Sequence, residues 1–288
     1  MTTNMAMRHK SFAALILTHG RPDRVYTYQS LRRAGYTGRI VLVIDNEDAR
    51  ADEYRKAFGS EVVMFDKAEI AARFDEGDNF RNRRTMMHVR NAMFEIAARL
   101  GLEHFIQLDD DYTDFRHKTG KHREFIHCRW IRNLDAVFDV LIDYFESIPA
   151  LSIALAQGGD FIGGKNSGAM KVRRKAMNSF ICSTRRRFAF VGRLNEDVNT
   201  YVTLGSRGGL FLTIWHVALQ QKQTQTNPGG MTDAYLTSGT YVKSFYTVMM
   251  QPSSVRISVL ATTNPRIHHP ISWRHTVPVI LPESARKP

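Results

Sequence analysis

Glu103-His104-Phe105-Ile106-Gln107-Leu108-Asp109-Asp110-Asp111-Tyr112 is the stretch on which the reading of this chain turns. An apolar run that stops abruptly in three carboxylates reads as a buried strand delivering charge to the edge of a sheet. Three adjacent aspartates repel one another unless something positive sits among them. Hard divalent cations such as Mg²⁺ or Mn²⁺ take carboxylate oxygens and leave positions open for phosphate. Open α/β sheets bind ligands at the carboxyl ends of their strands, which favours a metal here over a surface turn or a helix cap, the two plainer readings of such a cluster.

Outward from that strand, the amino-terminal half alternates strand and helix. Phe12 to Leu17 reads as a first strand, Pro22-Asp23 opens a helix ending near Gly35, Arg39 to Asp45 is a second strand closing on a carboxylate, and Glu61 to Phe65 is a third. Strands separated by helices of this length imply crossover connections and a mostly parallel central sheet flanked by helices, an α/β, Rossmann-like architecture. In residues 82–100, Met86, Val89, Met93, Ile96, Ala97 and Leu100 recur at helical spacing and Gly101 follows as a stop. The basic residues on that helix are either a solvated face or, for one of them, a contact to a bound diphosphate.

Beyond the aspartates the composition turns basic. Arg116, Lys118, Lys121, Arg123, Arg129 and Arg132 have only Glu124 among them, and residues 165–187 carry basic charge alone, including Lys171, Arg173, Arg174, Lys175, Arg185, Arg186 and Arg187. A one-signed charge in two separate segments favours a polyanion-binding face over a merely solubilising one. A helix from Asn133 to Glu146 and a strand from Leu151 to Ala156 lie between these segments, and a glycine-dense loop follows that strand. Phe188 to Leu194 then leads into Asn195-Glu196-Asp197 at a helix start. One acid there is an ordinary cap; two, followed by a strand from Leu210 to Trp215 that ends at His216, suggest a site. His216 itself reads as a ligand or as a hydrogen-bonded core histidine. The last residues, 220–288, change character and read as an extension, a possible mobile lid, on a catalytic domain of residues 1–219.

The 288 residues carry 40 Lys and Arg against 28 Asp and Glu, a net charge of +12. That surplus favours anionic partners without choosing among nucleic acid, acidic membrane and phosphorylated substrate. Two cysteines, Cys128 and Cys182, exclude a disulfide scaffold and fit a reducing compartment. No apolar stretch reaches the length of a membrane span, so a cytoplasmic protein is expected.

In this order the motifs resemble those of metal-dependent glycosyltransferases of the GT-A fold. The resemblance covers roughly residues 12 to 217 and rests on Thr18 to Arg21, Asp45, Arg90-Asn91, Asp109 and Asp111 as Asp-x-Asp, Glu196-Asp197, and His216. More narrowly, Leu17-Thr18-His19-Gly20-Arg21-Pro22, Leu108 to Asp111 and Ser238-Gly239-Thr240-Tyr241-Val242-Lys243 look like the TET-associated glycosyltransferases of bacteriophages, which act on 5-hydroxymethylpyrimidines in DNA. The resemblance implies a GT-A-like fold and a nucleotide-sugar donor, UDP-sugar favoured, lined by Thr18, Arg21, Asp45, Arg90, Asp109, Asp110 and Lys243. It implies Mn²⁺ or Mg²⁺ on Asp109, Asp111 and His216. Asp197, or failing that Glu196, would be the general base of an inverting reaction, retention staying open. DNA containing 5-hydroxymethylcytosine would be the acceptor, in the cytoplasm of a bacterial host, held by the basic segments with Trp130, Phe161 or Trp273 supporting a base. A protein or glycan acceptor, or a non-catalytic nucleic-acid-binding protein, are the rival readings.

Overall fold

A computed structural model describes residues 7–78, 80, 82–120, 127–161, 176–222, 232–260, 265–276 and 283. Three strands fall where the apolar runs place them: β1 (Phe12–Leu17), β2 (Arg39–Asp45) and β3 (Val62–Phe65). The connecting helices are α1 (Tyr26–Arg33), α2 (Ala51–Phe58), α3 (Lys67–Ala71) and α4 (Met86–Arg99), and β4 (His104–Asp109) is the carboxylate strand. Next come β5 (Tyr112–Thr119), β6 (His127–Trp130), α5 (Leu134–Glu146), β7 (Ser152–Gln157) and β8 (Ser179–Ser183). Last are α6 (Glu196–Ser206), β9 (Phe211–Gln221), α7 (Thr232–Met250), β10 (Ser258–Leu260) and β11 (Arg266–His268).

The main sheet runs β3-β2-β1-β4-β8-β7-β9-β5-β6, with β10 and β11 forming a separate two-stranded ribbon. From β3 to β4 every pairing is parallel; beyond β4, β8 inserts antiparallel, β5 pairs antiparallel with β9 and β6 antiparallel with β5, while β7 and β9 pair in parallel. β1 is buried along its whole length, and its alternating side chains feed two cores. Phe12, Ala14 and Ile16 join Leu31 of α1, Tyr54 of α2 and Phe138 of α5 on one face. Ala13, Leu15 and Leu17 join Met93 of α4 and Tyr201 and Val202 of α6 on the other. This is the α/β architecture anticipated, a central sheet with helices on both faces.

Helix ends follow local chemistry. Thr85 caps α4 by accepting the Met87 amide at 3.1 Å, and Asn133 caps α5 through the Ala136 amide at 3.1 Å. At the far end of α4, Gly101 takes φ +71°, and the Gly101 and Leu102 amides return to the Ala98 and Ala97 carbonyls at 3.1 and 2.9 Å. Two readings of the sequence shift. β8 lies within what composition marked only as a basic run. β9 also continues past Trp215 to Gln221, across the expected boundary at 219/220. The carboxyl-terminal residues pack back on the sheet domain: Trp273 stacks on Tyr201 at 5.6 Å and 9°, and Asn195 donates to the Lys243 carbonyl at 2.8 Å. No helix among the described residues is long and apolar enough to cross a membrane.

Candidate active site

Parallel pairing brings the ends of β1, β2 and β4 to one edge: Leu17 pairs with both Val43 and Asp109. Each of the three aspartates there has a different fate. Asp110 turns inward and is 1% exposed. Thr18 Oγ1 donates to its Oδ2 at 2.7 Å, Arg21 Nε does so at 2.8 Å, and Thr18 and Tyr54 hydroxyls meet at 2.7 Å. Thr27 secures the turn, its hydroxyl donating to the Asp109 carbonyl at 2.5 Å and its amide to that of Asp110 at 3.1 Å. Thr18 and Arg21, expected to line a nucleotide, reach Asp110 through the Thr18 hydroxyl and the Arg21 Nε.

Asp109 accepts from Arg90 Nη2 at 2.9 Å, and Arg90 Nε donates to Glu196 Oε1 at 2.9 Å. The guanidinium is buried, with the rings of Phe180 and Phe190 at 5.1 and 5.7 Å from its centre. It is thus an internal bridge between β4 and the start of α6, rather than a cation facing an open edge. Burial opposes its charge, but Asp109 and Glu196 hold the pKa above the ordinary arginine value. Asp111 accepts from Gln221 Nε2 at 3.0 Å through Oδ2, while its Oδ1 is buried with no partner among the described residues. Burial pushes all three carboxyls up. Asp110 reaches about 6 in spite of Arg21, Asp109 rises despite Arg90 because Asp111 and Glu196 add like charge, and Asp111 rises despite Gln221.

An orphaned carboxylate oxygen amid carboxyls pushed above their usual range is a donor set that suits a hard divalent cation, which would supply the missing charge. Asp109 and Asp111 are the residues able to hold one. Among the described residues no third His, Cys, Asp or Glu gathers with them. His216 in particular is exposed and sits where the β7–β9 register jumps between Ile214 and Ala218. Gln221 is the β9 residue beside the aspartates, pairing with Tyr112; five residues at about 3.3 Å each put His216 on the order of 16 Å farther along the strand. The continuation of β9 to Gln221, which the sequence does not mark, sets it apart.

α6 starts at the same edge. Asn195 takes the left-handed conformation, φ 54°, and its side chain ties to α7 through the Lys243 carbonyl and, at 3.2 Å, Thr247 Oγ1. Asp197 is 6% exposed; burial and the Glu196 charge push its pKa up, with Arg90 and Lys243 opposing. Lys243 is thus within electrostatic reach of Asp197. It also acts on His269, whose pKa burial, His268 and Lys243 push down to about 4. His268 and His269 carry no role in the sequence reading because nothing local marks a histidine pair near the tail as adjacent to α7. Asp45, buried at the end of β2, accepts His19 Nδ1 at 2.9 Å with Lys67 Nζ at 3.5 Å. Burial opposes its charge, yet these two partners hold its pKa below the ordinary range.

The basic segments separate. Lys121, Arg123, Lys171, Arg173, Arg174 and Lys175 lie outside the described residues. Lys118 sits over the Phe161 ring at 4.8 Å. Arg185, Arg186 and Arg187 follow β8, whose Ser183 pairs with His104 at the start of β4, so they occupy the edge opposite the aspartates. Arg186 there donates to the Phe145, Ile148 and Ala150 carbonyls at 3.2, 2.8 and 3.0 Å, closing the end of α5. That arginine is committed to the fold, which run-of-charge reasoning cannot see.

The α/β sheet, parallel from β3 to β4, thus carries a carboxylate cluster at the carboxyl edge of that half, backed by a buried acid pair. The profile of the TET-Associated Glycosyltransferase family matches residues 12–230, and the chain belongs to that family; it is a glycosyltransferase. No curated protein matches the sequence. Among solved structures, similar chains include glucosyl-3-phosphoglycerate synthase from Mycobacterium tuberculosis, determined with Mg²⁺ and uridine diphosphate, with TM-score 0.47 and 7% identity over 94% of this chain and 89% of that one. Another is the mannosyltransferase PcManGT from Pyrobaculum calidifontis, in complex with GDP-Man and Mn²⁺, with TM-score 0.44 and 11% identity over 85% of this chain and 65% of that one.

Proposed function

We propose that the protein moves a sugar from a nucleotide-sugar donor, UDP-sugar favoured, to the hydroxymethyl group of 5-hydroxymethylcytosine in DNA, with inversion at the sugar. The observation that carries this reading is the Asp109–Arg90–Glu196 bridge. One buried guanidinium joins the donor-side carboxylates to the helix start bearing Asp197. Family membership and the net charge of +12 support an anionic acceptor.

Asp109 and Asp111 would hold Mn²⁺ or Mg²⁺, the remaining positions going to phosphate and water. When bound, the cation supplies the positive charge that a departing nucleoside diphosphate needs. Asp110, locked by Thr18 and Arg21, fixes the turn that aims its two neighbours. Asp45 sits where β2 would meet the nucleoside. Asp197 accepts the proton of the attacking hydroxyl, and its raised pKa makes it a stronger base than an exposed aspartate while leaving it ionised near neutral pH. Lys243 on α7 adds positive charge beside the reacting groups. Arg90 holds Glu196 in place through its Nε donation at 2.9 Å, so Asp197 stays oriented.

The test is incubation with Mn²⁺, a panel of nucleotide sugars and either ordinary or hydroxymethylcytosine DNA, followed by mass analysis of the digested nucleosides. Sugar on the modified nucleoside alone is expected. Donor consumption with the sugar on a protein or glycan, and none on DNA, would overturn the acceptor assignment.

A further inference from the structure

β6 is the outermost strand of the main sheet, and its four residues, His127 to Trp130, are all exposed. Trp130 leaves 54% of its surface in solvent, a large apolar area to leave uncovered on an edge strand. The two other aromatics considered for supporting a base are occupied by packing, Trp273 on Tyr201 and Phe161 edge-on to Trp215 at 5.6 Å. The neighbours of Trp130 are cations. Arg116, its cross-strand partner, places its guanidinium 4.7 Å from the indole, and Arg132 stands at 5.9 Å.

Beside the indole lies a cavity of about 210 Å³ whose lining includes Arg33, Asp114, Phe115, Trp130, Ile131 and Arg132. It is smaller than the roughly 300 Å³ at which whole small-molecule sites begin, so it suits a single ring rather than a complete ligand. Asp114 is the one acid among its described lining residues, and both its oxygens are taken by Arg116. The rim is therefore positive. Gly35, at φ +84°, lets the end of α1 close on this strand: a Cβ there would stand 2.3 Å from the Arg132 carbonyl oxygen.

We propose that this edge seats a strand of nucleic acid, one base stacked on Trp130 and its phosphate on Arg132. The inference rests on the DNA reading above and adds where the strand lies. An aromatic face between guanidiniums attracts flat, polarisable rings of any sequence, and Arg132 pairs with phosphate. From Tyr112, which follows the aspartates, to Arg116 is four residues, on the order of 13 Å. In a duplex rising about 3.4 Å per step, that is some four steps. The base seated here is a neighbour of the reacting nucleotide and holds the strand in register.

Fluorescence anisotropy with labelled twelve-residue oligonucleotides of ordinary bases, single- and double-stranded, over a salt series tests this on the full chain. Trp130→Ala should weaken binding about tenfold with the salt slope unchanged, Trp130→Phe should recover most of the loss, and Arg132→Ala should lower the slope by about one. Polyglutamate should compete poorly. Binding by the Trp130→Ala protein within twofold of wild type overturns the docking surface and leaves the DNA acceptor standing. Polyglutamate competing as well as DNA, with the same dependence on Trp130, overturns it in favour of an acidic peptide. Absence of oligonucleotide binding by wild type at low salt overturns both the surface and the acceptor reading. Trp130-dependent binding without sugar transfer to hydroxymethylcytosine DNA overturns the acceptor reading alone.

Discussion

Replacing Arg90 by methionine tests the bridge on which the site is built. The change keeps a long side chain against Phe180 and Phe190 but removes two ion pairs, each 2.9 Å long, and leaves Asp109 and Glu196 buried without their cation. Breaking a buried pair from one side costs about 3–5 kcal/mol, chiefly through the uncompensated charge left behind. Unfolding entropy of about 2.1 cal/mol/K per residue over 288 residues makes each kcal/mol worth about 1.7 °C, so Tm should fall by about 5–8 °C. The loss should be smaller at pH 5 than at pH 8, because the abandoned carboxyls can then take up protons. The triple change Arg90→Met, Asp109→Asn, Glu196→Gln should recover most of it, since neutralising a whole buried cluster is often close to neutral. Thermal melts at both pH values provide the measurement. A single variant within 1–2 °C of wild type, or a triple variant no better than the single, would refute the idea that the bridge carries charge rather than filling space.

Asp111→Asn should abolish the rise in Tm produced by Mn²⁺ while leaving the metal-free melt unchanged or slightly higher, since the lost charge belongs to an oxygen with no partner among the described residues. The sign of the pH dependence follows from the raised carboxyls: folded Asp109 and Asp110 bind protons more tightly than the unfolded chain, so the stability they contribute is full below about pH 4. It is lost as pH rises through about 6 for Asp110 and higher for Asp109. Mn²⁺ should accordingly stabilise wild type more at pH 8 than at pH 5, and EDTA should reverse that gain; calorimetry with and without metal checks both. Asp197→Asn should lower turnover by about 10²-fold or more with donor affinity kept within about twofold. In wild type the acidic limb of kcat/KM should fall above the ordinary aspartate value of about 3.9; unchanged turnover in the variant moves the base elsewhere. Gly35→Ala, at φ +84° and with its new methyl 2.3 Å from the Arg132 carbonyl oxygen, should cost about 1–3 kcal/mol in denaturant melts.

The chain's local patterns carried a good deal of this. The runs at 12–17 and 39–45 are strands with those bounds, because a strand buried on both faces must be apolar at every position. The Asp109 to Asp111 cluster lies at the carboxyl edge because the run before it is buried, and Glu196-Asp197 opens a helix because acids suit that end. Partner choice was another matter. That Asp110 faces inward depends on Thr18 and Arg21, some ninety residues away in sequence, and that Arg90 is an internal bridge depends on Glu196. Arg186 looked like its neighbours until its donors met the end of α5, His216 looked like a ligand until β9 ran on to place Gln221 beside Asp111, and the environment of His269 exists only once α7 and the tail pack against α6. Periodicity and composition are properties of neighbouring residues, so they determine which segments are buried and where charge accumulates. Which charge meets which is decided by through-space distances and by desolvation, and those come into being only when the sheet closes and its edges are brought together.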